Sequence, residues 1–139
     1  MIDSGEFHDG SFDGLWIDGK TVHLFLSSVD KQRFVVVAHS VAALSAGGIK
    51  AGNIVFEVST RPCNELSADD IAEMYHLKEG EPGKEQALQL IEKARQQKLV
   101  LLEVCPSYGG RCVLLARSLS FSPWEDWMHQ QNKSRVGDR

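Results

Sequence analysis

"SFDGLWIDGKTVHLFLSS", residues 11–28, decides the fold. Two runs rich in aromatic and β-branched residues flank Asp18-Gly19, a strong short hairpin signal, so the stretch predicts two antiparallel strands. In the second run Val22, Leu24 and Leu26 share one face, and Thr21, His23, Phe25 and Ser27 share the other. A polar turn at Asp30 to Gln32 leads into "RFVVVAHS", apolar on both faces, so Val35 and Val37 need a cover such as a helix. "VAALSAGGIKAG" then reads as a small-residue connection, and "NIVFEVST" as a further strand with Ile54, Phe56 and Val58 inward and Glu57 and Ser59 outward. The expected core of this meander is Val22, Leu24, Leu26, Ile54, Phe56 and Val58.

Downstream the period changes from two to 3.6. Ser67 with Asp70 three residues on forms a capping box, and Ile71, Met74 and Tyr75 make a helical stripe. "KEGEPG" should stop that helix, because Gly80, Pro82 and Gly83 interrupt it. A second helix follows in "KEQALQLIEKARQQK", with Ala87, Ile91 and Ala94 on its inner line and Leu88 and Leu90 flanking. Strands return in "LVLLEVC" and "RCVLLARSLSF", joined by "PSYGG", whose glycines suit a tight hairpin. In "SPWEDWMHQQ", Ser122 caps a short last helix, Pro123 takes its first position, and Trp124, Trp127 and Met128 share a face.

These elements give a single α+β domain over residues 1–139. It is an antiparallel curved sheet or open barrel of about six strands, with a helical pair inserted at 64–98, a short C-terminal helix, and a flexible tail at 130–139. No G-x-G-x-x-G follows a strand, which argues against a dinucleotide fold and leaves no cofactor expected.

Composition narrows the function. A formal charge of −4, with scattered Lys and Arg apart from the segment Lys133 to Arg139, argues against nucleic acid as a partner. No apolar run approaches the ~20 residues of a membrane helix, and the acidic start "MIDSGEFHDG" is unlike a secretory signal. The expectation is a cytoplasmic protein with no membrane partner. Cys63, Cys105 and Cys112 contain no CxxC pair, so neither a disulfide framework nor a zinc site is indicated.

The chemically suggestive residues are His8, Asp9, Asp13 and His23. From Asp9 the spacing matches the first half of an EF-hand loop, but position 12 is Lys20, where a bidentate carboxylate is required. Adjacent His8 and Asp9 on an extended chain point apart, so no metal is expected, and turn chemistry explains Asp9, Asp13 and Asp18-Gly19 more simply. His23 and His39 lie within strands, where a hydrogen-bonded structural histidine is commoner than a base or ligand. Cys105 and Cys112 could face each other across the hairpin, yet no base lies near them in sequence. "SYGG" lacks the G-x-S-x-G pattern of a nucleophile elbow. Tyr108 at the hairpin tip is a candidate anchor for a partner. The Trp124–Trp127 stripe docks on its own sheet or pairs with a second copy, and a homodimer to which Trp124 or Trp127 contributes is the association to test.

The framework "FHDG…FDGLWID…KTVHLFL", "GNIVFEV" and "PSYGGRCVLLA" resembles a group of small, uncharacterised bacterial proteins. The "FHD" start leading into a strand is also similar to some bacterial immunity proteins, which bind and block a toxin. The first likeness supplies no activity, so it carries over nothing catalytic; the second implies a protein partner. The leading expectation is therefore a non-enzymatic binding or interaction protein, immunity-like. The alternative is a small hydrolase or metal-dependent enzyme using His8, Asp9, Asp13 and His23, and a third is an open barrel holding a ligand in its mouth.

Overall fold

The computed structural model describes residues 4–137. After a 3-10 turn at Ser4–Phe7 come β1 (Ser11–Asp18), β2 (Thr21–Ser27), β3 (Arg33–Gly47) and β4 (Asn53–Pro62). Helices α1 (Ala68–Tyr75) and α2 (Glu81–Gln96) follow, then β5 (Val100–Tyr108), β6 (Arg111–Pro123) and α3 (Trp124–Gly137). The fold is α+β, as the sequence implies. The six strands are antiparallel throughout and curl into a ring in the order β1-β2-β3-β6-β5-β4. The ring is uneven: β4 meets β1 only through Ser11–Ile54 and Phe12–Asn53, whereas β3 and β6 pair along nearly their whole length.

The first hairpin forms where Asp18-Gly19 indicates, shifted by one residue. Asp18 pairs with Thr21, so Gly19-Lys20 is the loop, and Gly19 at φ +61° takes the first loop position of a type II′ turn. Val22, Leu24 and Leu26 face inward with Phe12, Val36, Val58, Leu102 and Leu114, all at most 1% exposed. Side chains fill the interior of the ring as a packed core.

Three expectations are corrected. Residues 41–47 are not a connection: β3 continues through them, pairing Val41 with Ala116 and Gly47 with Arg111, and only 48–52 form the loop. Ile54 and Phe56 are not core. Pairing of β4 with β5 shifts around Val55, which lies opposite Pro106, and this turns Asn53, Val55 and Val58 inward and Ile54, Phe56 and Glu57 out. Pro106 has no N–H to give the ladder, and a strand accommodates that lack at a bulge. Finally, "EPG" opens α2 instead of separating the helices. Pro82 occupies the first turn, where its missing N–H costs nothing. Gly83 is buried so close to Lys78 that a Cβ would lie 1.8 Å from the Lys78 carbonyl oxygen.

Both inserted helices otherwise follow the sequence pattern. The Ser67–Asp70 capping box is present, with Ser67 Oγ accepting from the Asp70 N–H at 3.1 Å. Ile71 and Met74 of α1 and Ala87, Ile91 and Ala94 of α2 pack on the outer face of the ring against Leu99, Leu101 and Leu115, a second core. Val35 and Val37 are buried on the outside of β3, where α3 lies across β3 and β6. That helix begins at Trp124, since Pro123 is still paired with Phe34, and it is helical to Gly137, through most of the stretch expected as a tail. Residues 138 and 139 lie outside the described part.

Candidate functional site

The register shift in β4 builds the most distinctive surface. Ile54 and Phe56 project outward at 42% and 53% exposure, and Tyr108, paired with Ile54, is 51% exposed. Ile49 from the β3–β4 loop sits beside Gly110 and is 50% exposed. Polar groups frame these side chains. Lys50 Nζ lies 4.9 Å over the Tyr108 ring, and the His8 ring meets Phe56 edge-on at 5.6 Å. His8 Nδ1 donates to the Phe56 carbonyl at 3.0 Å. A neighbouring set of exposed apolar side chains of this kind marks an interaction surface more than single exposed residues do.

What holds this surface is Asn53, only 5% exposed. Its Oδ1 accepts from the N–H groups of Lys50 (2.8 Å) and Gly110 (2.7 Å), and its Nδ2 donates to the carbonyls of Phe12 (3.1 Å) and Lys50 (2.7 Å). One amide thus ties the β3–β4 loop, the β5–β6 hairpin and β1 together. Gly109 is required by the same clasp: its φ is +84°, and a Cβ would lie 2.5 Å from Asn53 Oδ1. The sequence shows this only as Gly-Asn before a strand and Gly-Gly in a hairpin, with Pro106 as the one sign of a bulge.

A second feature is a cleft of about 440 Å³ between α1 and the outer wall. Across it runs an alternating chain of charges. Asp70 holds Arg61 through two bonds of 3.0 Å, and Arg61 lies 3.9 Å from Glu103. Glu103 accepts from Arg111 Nε at 3.1 Å and from its Nη2, and Arg111 also contacts Glu73. Burial alone would raise the Asp70 carboxyl, but the Arg61 fork and the Ser67 cap bring it below its ordinary value. Glu103 and Glu73 hold Arg111 more firmly protonated, against the effect of burial. Both guanidinium groups are already satisfied by the chain's own carboxylates, so the cleft fastens α1 to the barrel.

The third feature lies under α3. His23, 6% exposed, stacks on Trp16 at 4.6 Å and meets Trp127 edge-on at 5.5 Å; Trp127 also meets Phe25 at 5.6 Å. Beside them is a pocket of about 340 Å³ that Asp18, His39, Ser120 and Gln130 also line. Burial lowers the pKa of His23 from its ordinary 6.5, a hydrogen bond with the Trp16 backbone and the Asp18 charge oppose this, and His39 adds to the lowering. Trp124 stacks under the guanidinium of Arg33 at 4.0 Å. Both tryptophans are therefore engaged by the chain's own wall.

The four candidates His8, Asp9, Asp13 and His23 do not converge on one site. Asp9 and Asp13 share an open groove with Ser11, Ser27, Ser28, Lys31 and Arg33. Asp9 has a left-handed backbone (φ +62°) and its N–H donates to Val55, while Asp13 sits at a β1 irregularity and accepts from the Ser11 hydroxyl at 2.6 Å and from that of Ser27. His8 is 3.7 Å from Asp9 but bonded to Phe56, and His23 is opposite Trp16 beneath α3. Among the described residues no three His, Cys, Asp or Glu side chains are grouped to hold a metal ion. Cys105 and Cys112 do not face each other: Cys112 opposes Val104 inside the ring, whereas Cys105 opposes Glu57 on β4. Burial, with Glu103 adding to it, pushes the Cys105 thiol up to about 11, and burial pushes Cys112 to about 12. Neither is an activated nucleophile.

No helix among the described residues is long and apolar enough to cross a membrane. Comparison with family models, with curated protein sequences and with solved structures found no match to the chain.

Proposed function

We propose that this chain is a non-enzymatic protein-binding module that docks a partner on the surface formed by Ile49, Ile54, Phe56 and Tyr108. The observation that carries the reading is the exposure of these four side chains on strands and loops fixed by the Asn53 clasp. A chain of formal charge −4, with Asp9 and Glu57 beside the patch, suits a basic partner that presents an apolar knob. The likeness to toxin-blocking immunity proteins points the same way.

The test pairs the native chain with Phe56→Ser/Tyr108→Ala as bait, at low and high salt. The reading expects a basic protein retained by the native chain, lost with the double variant and weakened by salt. Retention of the same protein by both baits refutes this surface. If no basic protein depends on the patch, the reading fails.

A further inference from the structure

We propose that α3 is a pH-sensitive strap, closed over the outer wall of β3 and β6 with Trp127 reaching β2 while His23 is neutral, and released when it is protonated. The geometry supplies the reason. His23 Nδ1 and Trp127 Nε1 are both buried without a hydrogen-bond partner, on rings that meet edge-on at 5.5 Å. An indole N–H only donates, whereas a neutral imidazole nitrogen can present a lone pair. After protonation both imidazole nitrogens carry a proton, and Nδ1 becomes a second buried donor without an acceptor, beside that of Trp127.

The surroundings give the cation little compensation. A hydrogen bond with the Trp16 backbone and the charge of Asp18, both on β1, favour it without outweighing burial, and His39 of β3 opposes it. From β6 and α3 the pocket receives Ser120, Trp127, Gln130 and Gln131, none of them charged. The closed strap is also marginal on its own account, because burying two unsatisfied polar groups offsets part of the apolar contact. The covering helix is itself weakly apolar: beyond Trp127 and Met128 it continues His129, Gln130, Gln131, Asn132 and Lys133. Release uncovers Val35, Val37 and Phe25, an apolar strip on the wall distinct from the Tyr108 surface.

The direction of the pH effect follows from the depressed titration of His23. Closure is strongest above about 6.5, weakens as pH falls through that value, and levels off below the pKa of the closed form. Hydrogen exchange on the full chain, corrected for the intrinsic pH dependence of exchange, reads it. The proposal expects α3 to lose protection by about tenfold for each unit of pKa depression, while α2 and the ring interior keep theirs. His23→Phe should make α3 insensitive to pH. Because that variant removes a buried group, Asp18→Asn and His39→Gln serve as rim variants of opposite sign: the first removes the carboxylate that favours the cation in the closed form and should deepen the loss of protection at low pH, and the second removes the group that opposes it and should make that loss shallower. Protection of α3 that is unchanged across the range, or a loss that persists in His23→Phe, or one spread uniformly over the whole chain, overturns the proposal.

Discussion

Replacing Asn53 by Ala tests the clasp that holds the proposed binding surface. The substitution removes four hydrogen bonds at once. Two of the groups left behind, the Phe12 carbonyl and the Gly110 N–H, belong to the buried bonds, and each such orphan costs about 1–3 kcal/mol. The two groups on Lys50 are nearer solvent and recover most of their bonding from water, so about 0.5 kcal/mol each is lost. The sum is about 3–7 kcal/mol, a large part of the 5–15 kcal/mol typical of a domain. Urea unfolding measures it, and the midpoint should fall with little change in slope. Asn53→Asp sharpens the test, because the carboxylate keeps both accepted bonds but turns an oxygen toward the carbonyls of Phe12 and Lys50. It should be destabilised about as much as the alanine variant. A cost below about 1 kcal/mol for Asn53→Ala, or native stability for Asn53→Asp, would refute the reasoning.

Other expectations are simpler. Phe56→Ala should cost below about 1 kcal/mol while Val55→Ala costs about 2 kcal/mol or more, and reversal of that order in denaturant unfolding would mean the β4 register is wrong. Cys105 should react slowly with a thiol reagent at neutral pH and accelerate only toward its pKa of about 11, so rapid labelling of the folded chain at pH 7 would contradict its placement. Glu103→Ala separates the two halves of the charge chain while Asp70 and Glu73 keep one arginine each; a loss of about 1–2 kcal/mol is expected, reduced by the partial exposure of both guanidinium groups. Light scattering on Trp127→Ala should give the same mass as the native chain if this residue serves only to dock α3, and a halved mass would restore a homodimer through it.

The ring was legible because its signals are local. The Asp18-Gly19 and Gly109-Gly110 turns and the alternation in β2 are each written in a few consecutive residues. The Ser67–Asp70 box and the Ala87–Ile91–Ala94 line are equally local. What the sequence concealed depends on distant partners. Alternation in "NIVFEVST" favours Ile54 and Phe56 inward, and nothing within that stretch shows that Pro106, some fifty residues on, will sit opposite Val55 and turn the strand. The continuation of β3 through "VAALSAG" is hidden in the same way, because its small residues become strand only by pairing with β6. For the site, Tyr108 is visible as a hairpin tip, but alternation in sequence places its neighbours Ile54 and Phe56 in the core. The N-terminal His and Asp residues draw attention by type, and they do not converge because a turn holds His8 and Asp9, an irregularity of β1 holds Asp13, and the middle of β2 holds His23.

The two ends of the structure carry opposite energetic signatures, and this bears on how each would bind. Around Asn53 every side-chain donor and acceptor of the amide is used, so the Tyr108 surface is ordered before a partner arrives. Binding there avoids most of the cost of ordering loops, and affinity depends on the apolar side chains themselves. Under α3 two buried polar atoms are left over, so the docked helix sits above its best attainable free energy. A partner that reached Val35 and Val37 would compete with a weakened contact instead of a satisfied one. Mutating Asn53 should therefore lower affinity at the Tyr108 surface by disordering it, whereas loosening α3 should leave that surface's affinity unchanged. Titration of one captured partner against Asn53→Ala and Trp127→Ala separates the two: equal losses in both variants would mean that the surfaces are coupled and that this division of the molecule is wrong.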